Sequence, residues 1–165
     1  MNPLLPRKFF IPDAEAHVMP DGRLYLYGSC DISGKKEYCG NEYRVFSTDD
    51  PQLSRWTDHG VSFRNTQDEP GIPWRPGVPL YAPDAAARNG KYYLYGSRGG
   101  SCWGQGGGFD VYTGTDLENW EGPFEVFHND GSFWTDREYW APECHVYNGA
   151  YYLLASFKNE GVCRG

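Results

Sequence analysis

The sequence predicts an all-β chain arranged as a partial β-propeller, and three observations predict it. One hairpin phrase occurs three times: FIPDAEAHVMPDGRLYLYGS from Phe10, LYAPDAAARNGKYYLYGS from Leu80 and EYWAPECHVYNGAYYLLAS from Glu138. A second phrase follows the first two copies, VFSTDDPQLSRWTDHG from Val45 and VYTGTDLENWEGP from Val111. The composition is rich in aromatics (17%), with 21 Gly and 12 Pro, and shows no long helical period. Together these read as many short strands joined by turns. Each unit offers two strands in the hairpin, one at Val45 or Val111, and one after Trp56 or Trp120. Four strands per repeat is the arithmetic of a propeller blade.

The elements follow in order. Blade one is placed at about residues 10–63, blade two at about 80–127, and an incomplete blade three at about 133–165. The turn glycines Gly22, Gly90 and Gly149 recur at steps of 68 and 59. Asp21-Gly22, Asn89-Gly90 and Asn148-Gly149 each read as a two-residue hairpin turn. The inner strands, such as KYYLYGS, carry apolar residues on both faces, as packing between blades requires. VFSTDD alternates more cleanly, as an outer strand half facing water should. The Leu–x–x–Trp phrases at Leu53/Trp56 and Leu117/Trp120 are expected to pin the outer corners. Arg64 to Pro79 and Arg98 to Gly108 read as loops. No counterpart of the second phrase follows blade three, so sheet edges there are expected to be open to self-association.

Composition also excludes several functions. A length of 165 residues suits one domain. A net charge of -7 speaks against nucleic acid as a partner. No stretch approaches the roughly 20 apolar residues of a membrane helix. The N-terminal MNPLLPRKFF has no apolar signal core, which leads to a cytoplasmic expectation. The five cysteines form no CxxC pair, so no metal knuckle is expected. The glycine loop lacks the Gly-Lys-Ser/Thr ending of a phosphate loop, so no nucleotide cofactor is expected.

The chemistry is expected where each hairpin phrase begins. Propeller inner strands start around one mouth of a central channel, and Asp13, Asp84 and Glu143 are read as matching stations there. Glu15 rivals Asp13, because an alignment of turns that allows one inserted residue sets Glu15 opposite Asp84; Asp13 is kept because it follows Pro12 as Asp84 follows Pro83. Clustered carboxylates raise one another's proton affinity, so one stays ionised while another keeps its proton. That division is what acid–base cleavage of a glycosidic bond needs. The bland alternative is that each Pro–acid pair only caps a strand. Tyr139, Trp140 and the loop residue Trp103 are candidate sugar-stacking aromatics, with packing as the alternative. His17 and His145 follow the acid stations on inner strands; they are candidate substrate contacts or satisfied core residues. Cys144, by strand alternation, should point away from the acid.

The phrases PDAEAHV, LYAPDAAARNGKYYLYGS and YWAPECHVYNGAYYL resemble glycoside hydrolase family 43. These are five-bladed propeller enzymes acting on arabinose- and xylose-containing glycans. The resemblance implies about two and a half four-stranded blades of a five-bladed propeller. It implies an inverting mechanism with Asp13 as general base, Asp84 as the aspartate that orients and tunes the acid, and Glu143 as general acid. Asp13-Ala14 stands where the family has Asp-Pro. From Gly96 onward the chain resembles a different branch from the first ninety or so residues, as a recombinant of two relatives would. In that branch the glutamate of the WAPE blade modulates rather than donates. No cofactor is implied, except that a complete propeller could hold a channel metal such as calcium. The implied partner is an oligosaccharide or aryl glycoside; a non-catalytic carbohydrate-binding or scaffolding propeller fragment is the alternative.

Overall fold

The structure is a computed structural model that describes residues 4–36, 39–64, 79–97, 108–128, 137–159 and 162–164. Eleven strands and no helix occur among them. The first sheet is formed by β1 (Glu15–Val18), β2 (Leu24–Ser29), β3 (Glu42–Thr48) and β4 (Thr57–Arg64) in sequential antiparallel order. The second repeats that order with β5 (Asp84–Arg88), β6 (Lys91–Ser97), β7 (Gly108–Gly114) and β8 (Glu121–His128). The third holds β9 (Arg137–Tyr147), β10 (Ala150–Asn159) and the short β11 (Val162–Arg164). The innermost strands are neighbours in space: β5 touches β1 on one side and β9 on the other. The sheets are therefore fanned with their first strands together, as in a propeller.

Local sequence explains the turns. Arg88 pairs with Lys91 across Asn89 (φ 52°) and Gly90 (φ 76°). Tyr147 pairs with Ala150 across Asn148 (φ 49°) and Gly149 (φ 76°). Two successive left-handed residues define the type I′ hairpin expected from Asn-Gly. The first hairpin corrects the expectation for Asp21-Gly22. Met19 N–H donates to Arg23 O at 3.0 Å and Gly22 N–H to Met19 O at 2.9 Å, enclosing three residues, Pro20 to Gly22. A two-residue turn would make Pro20 part of the closing pair, and proline has no N–H to donate. The closing pair moves out to Met19 and Arg23, and the loop gains a residue.

The main core lies between the first two sheets. Met19, Tyr25, Tyr27, Tyr43, Val45 and Phe63 meet Ala85 and Leu94 there. Burying a side chain such as Leu94 contributes about 1.5–3 kcal/mol. Phe63 and Tyr112 rings pack at 4.6 Å across the same interface. The two tryptophans of the repeated phrase do different jobs. Trp56 Nε1 donates to Leu53 O at 3.1 Å and closes its own corner. Trp120 Nε1 instead donates to Ser62 O at 2.9 Å on β4, while Ser62 Oγ donates back to Leu117 O at 2.5 Å. The third sheet docks through Phe157 on Phe109 at 6.4 Å and Arg88 over the Tyr151 ring at 4.9 Å. Val146, Tyr147, Tyr152 and Leu154 of that sheet remain exposed.

Two glycines separate steric from conformational constraint. A Cβ on Gly114 would meet the Asn119 carbonyl oxygen at 2.4 Å, whereas one on Gly149 meets nothing within 4 Å. Gly114→Ala should therefore lower stability by about 1–3 kcal/mol, the overpacking range. Gly149→Ala should lose only the left-handed preference, about 1 kcal/mol. The buried Tyr27 hydroxyl has no hydrogen-bond partner among the described residues. Tyr27→Phe should be neutral or stabilising, because an unsatisfied polar group leaves the core. Urea unfolding of the three variants checks all three outcomes.

Candidate functional site: a carboxylate cluster at the inner strand starts

A repeated backbone kink sets the site. Asp13 (φ 51°), Ala82 (φ 22°) and Ala141 (φ 50°) adopt positive φ. Each stands two residues before an acid: Glu15, Asp84 and Glu143. Non-glycine residues in this region carry a conformational cost, which persists only where the surroundings impose it. The pairing register gives the same correspondence. Glu15 lies opposite Tyr27, Asp84 opposite Tyr95 and Glu143 opposite Leu154, matching places in YLYGS, YLYGS and YLLAS. The carboxylates at equivalent strand stations are therefore Glu15, Asp84 and Glu143. Asp13 instead matches the kink alanines, and its own side chain is exposed. Asp84 stands six residues before Gly90 and Glu143 six before Gly149; Glu15 stands seven before Gly22, the difference being the extra loop residue, whereas Asp13 stands nine before it.

Asp84 is the buried member, with no exposed surface. Its Oδ1 lies 2.5 Å from His17 Nε2 and accepts the Ala85 N–H at 2.7 Å. Its Oδ2 accepts the Cys144 N–H at 2.5 Å. Sheets one, two and three each supply one of these donors. Cys144 is itself buried, and its Sγ is pushed up in proton affinity chiefly by that burial. Glu143 is half-exposed, and its Oε1 lies 2.6 Å from His145 Nε2. The His17 and His145 rings stand 6.4 Å apart.

The cluster reshapes its own proton affinities. Glu15 is raised above the ordinary carboxylate value, first by burial and then by the charges of Glu143 and Asp84. His17 is raised chiefly by its hydrogen bond to Asp84; burial opposes that, and the charges of Asp84, Glu15 and Glu143 reinforce it. Three carboxylates and two imidazoles thus share one field. Such an arrangement can hold a proton on one group while another stays ionised.

The structure brings together Glu15, His17, Asp84, Glu143 and His145. It leaves Asp13 on the neighbouring kink, where its charge acts on the Cys39 thiol. Trp140 is partly buried on β9, opposite Ser156. Trp103 and the Tyr139 side chain lie outside the described residues. The pairing of each histidine with an acid was not anticipated. A signal for one of them was present, since Glu143-Cys-His145 and Glu15-Ala-His17 are i, i+2 pairs that share one face of a strand.

The fold and site define a class: a partial β-propeller presenting carboxylates at the starts of its innermost strands. In sequence and fold the chain is similar to enzymes of glycoside hydrolase family 43, five-bladed propellers, over part of their length. A xylosidase/arabinosidase of Thermoclostridium stercorarium is 42% identical over 95 residues, 57% of this chain and 20% of that protein. Xylosidase/arabinosidase 43A of Humicola insolens is 41% identical over 104 residues, 58% of this chain and 29% of that protein. The GH43_1 enzyme from Xanthomonas citri superposes with a TM-score of 0.68 at 27% identity, covering 92% of this chain and 41% of that one. CoXyl43, a GH43 β-xylosidase/α-arabinofuranosidase from a compost metagenome, gives 0.69 at 28%, covering 93% and 44%. The chain thus spans less than half the length of these solved relatives. A scan against protein-family models finds no match.

A pH test follows from the His17 shift. Because its folded value is raised, its contribution to stability is fully present below the ordinary 6.5 and is lost as pH rises through the folded value. Thermal melts should show stability falling in the window above 6.5, and Asp84→Asn should remove most of that pH dependence.

Proposed function

We propose that this chain carries the acid machinery of a glycosidase that releases xylosyl or arabinosyl units from oligosaccharides or aryl glycosides with inversion. The observation that supports it is the convergence of Glu15, Asp84 and Glu143 from adjacent inner strands, with Asp84 buried beneath them. Glu143 is the general acid: it is half-exposed, so its carboxyl can reach a leaving-group oxygen. Asp84 orients the Glu143 strand, since it binds the N–H of the adjacent Cys144. Asp13 is the general base, exposed to solvent where it can hold the attacking water. Glu15, whose proton affinity is raised by burial and then by the charge of Glu143, is the rival base. Water attacks the anomeric carbon, the C–O bond to the leaving group breaks, and Glu143 gives its proton to the departing oxygen. Asp13 takes the proton lost by the water. Trp140, on the same strand, and His145, beside Glu143, contact the sugar in this reading. These steps use only side chains and water.

The solved relative CoXyl43 was crystallised with xylotriose, which supports xylo-oligosaccharide as the substrate class. A second reading is favoured by coverage alone: three sheets of a longer propeller could bind such a sugar without turning it over. Hydrolysis of nitrophenyl β-xyloside and α-arabinofuranoside separates the two. Glu143→Gln and Asp13→Asn should each lower kcat by about 10²–10⁴, the range for general acid–base catalysis. Glu15→Gln should lower it less than either. Loss with Glu15→Gln but not Asp13→Asn would move the base to Glu15. An unaltered rate in Glu143→Gln, or a product of retained configuration, would overturn the mechanism. Sugar binding with no turnover would support the binding module.

A further inference from the structure

His17 is the one member of the cluster whose side chain crosses between blades to reach an acid. It lies on β1 opposite Tyr25, and its Nε2 sits 2.5 Å from Asp84 Oδ1 on β5. Its side chain is 22% exposed and that of Asp84 is fully buried. The matching position in the second sheet is Ala86, small and buried, and in the third it is His145, which turns to its own strand's Glu143. His17 is therefore tied up by Asp84 and poorly placed as a sugar contact. A buried carboxylate left with partial hydrogen bonding is unfavourable and free to turn. Here His17 grips Oδ1 while the Cys144 N–H grips Oδ2, so the carboxylate has one orientation.

We propose that His17 is a positioning residue for the glycosidase reaction: from blade one it fixes Asp84, and through Cys144 the strand that presents Glu143. This rests on the function proposed above. A protonated His17 also places one positive charge among three carboxylates. The groups facing it are Glu15 on its own strand, Tyr25 on β2, Asp84 on β5, and Glu143 and His145 on β9.

The test pairs a spectroscopic readout with a kinetic one. Proton NMR of the His17 imidazole in the unsubstituted chain should show it titrating above the ordinary histidine range, and Asp84→Asn should bring it back. This measurement needs no turnover, so it decides the His17–Asp84 link even if the glycosidase reading fails. In kinetics, His17→Phe should lower kcat by about a hundredfold with KM little changed, the size expected for misplaced catalytic groups. His17→Gln keeps a donor near Nε2 without titrating. It should recover most of the rate and flatten whichever limb of the pH profile His17 controls. An imidazole titration indifferent to Asp84→Asn overturns the link. His17→Gln as slow as His17→Phe, or a rise in KM alone, overturns the positioning role and restores His17 as a substrate contact. No turnover in the unsubstituted chain overturns the reaction itself and with it the kinetic role.

Discussion

A single buried carboxylate holds the molecule's centre together. Asp84 has no contact with solvent, and a charge in that position is unfavourable unless donors replace the lost water. The donors come from three sheets: an imidazole from β1, the Ala85 amide of its own strand, and the Cys144 amide of β9. The Ala85 amide is local, but the imidazole and the Cys144 amide depend on the sheets being fanned with their first strands in contact. The hydrophobic core between sheets one and two supplies the bulk of the attraction. Asp84 supplies the direction, because its oxygens are satisfied in only one relative placement of the three strands.

The kinks before the acids are the second constraint. Three L-residues held at positive φ, each two positions before an acid, mean that the chain bends sharply as it enters each inner strand. In two blades the residue after the kink is a fully buried proline, Pro83 or Pro142; in the first it is Ala14. Asp13 is the exception, a carboxylate where the other blades have alanine. That difference makes blade one chemically distinct at a position where the backbone is the same.

Much of this was legible in the sequence. The threefold hairpin phrase, the Asn-Gly turns and the four-strand repeat led to the propeller, because strand periodicity and turn chemistry are local properties. The register of blade one was not legible by motif alone. Pro12-Asp13 looks like Pro83-Asp84, yet the kink falls on Asp13 itself and Glu15 takes the station opposite Tyr27. Asp84 and Glu143 take matching stations, six residues before Gly90 and Gly149, because their turns are the regular two-residue kind. The His17–Asp84 contact spans 67 residues and depends on how two blades pack, so no local pattern could announce it. Trp120 taught a similar lesson: its repeat partner Trp56 closes its own corner, while Trp120 reaches into the sheet before it.

That last contact gives the architecture a polarity. Trp120 and Leu117 on one side, and Ser62 on the other, exchange a donor and an acceptor, so the later sheet reads the backbone of the earlier one. Sheet one needs nothing from sheet two to close its own outer corner, whereas sheet two brings a tryptophan that finds its acceptor only on a finished predecessor. A chain emerging from its N-terminus can therefore complete the first sheet as a template and add the next by docking, so the order of synthesis and the order of assembly coincide.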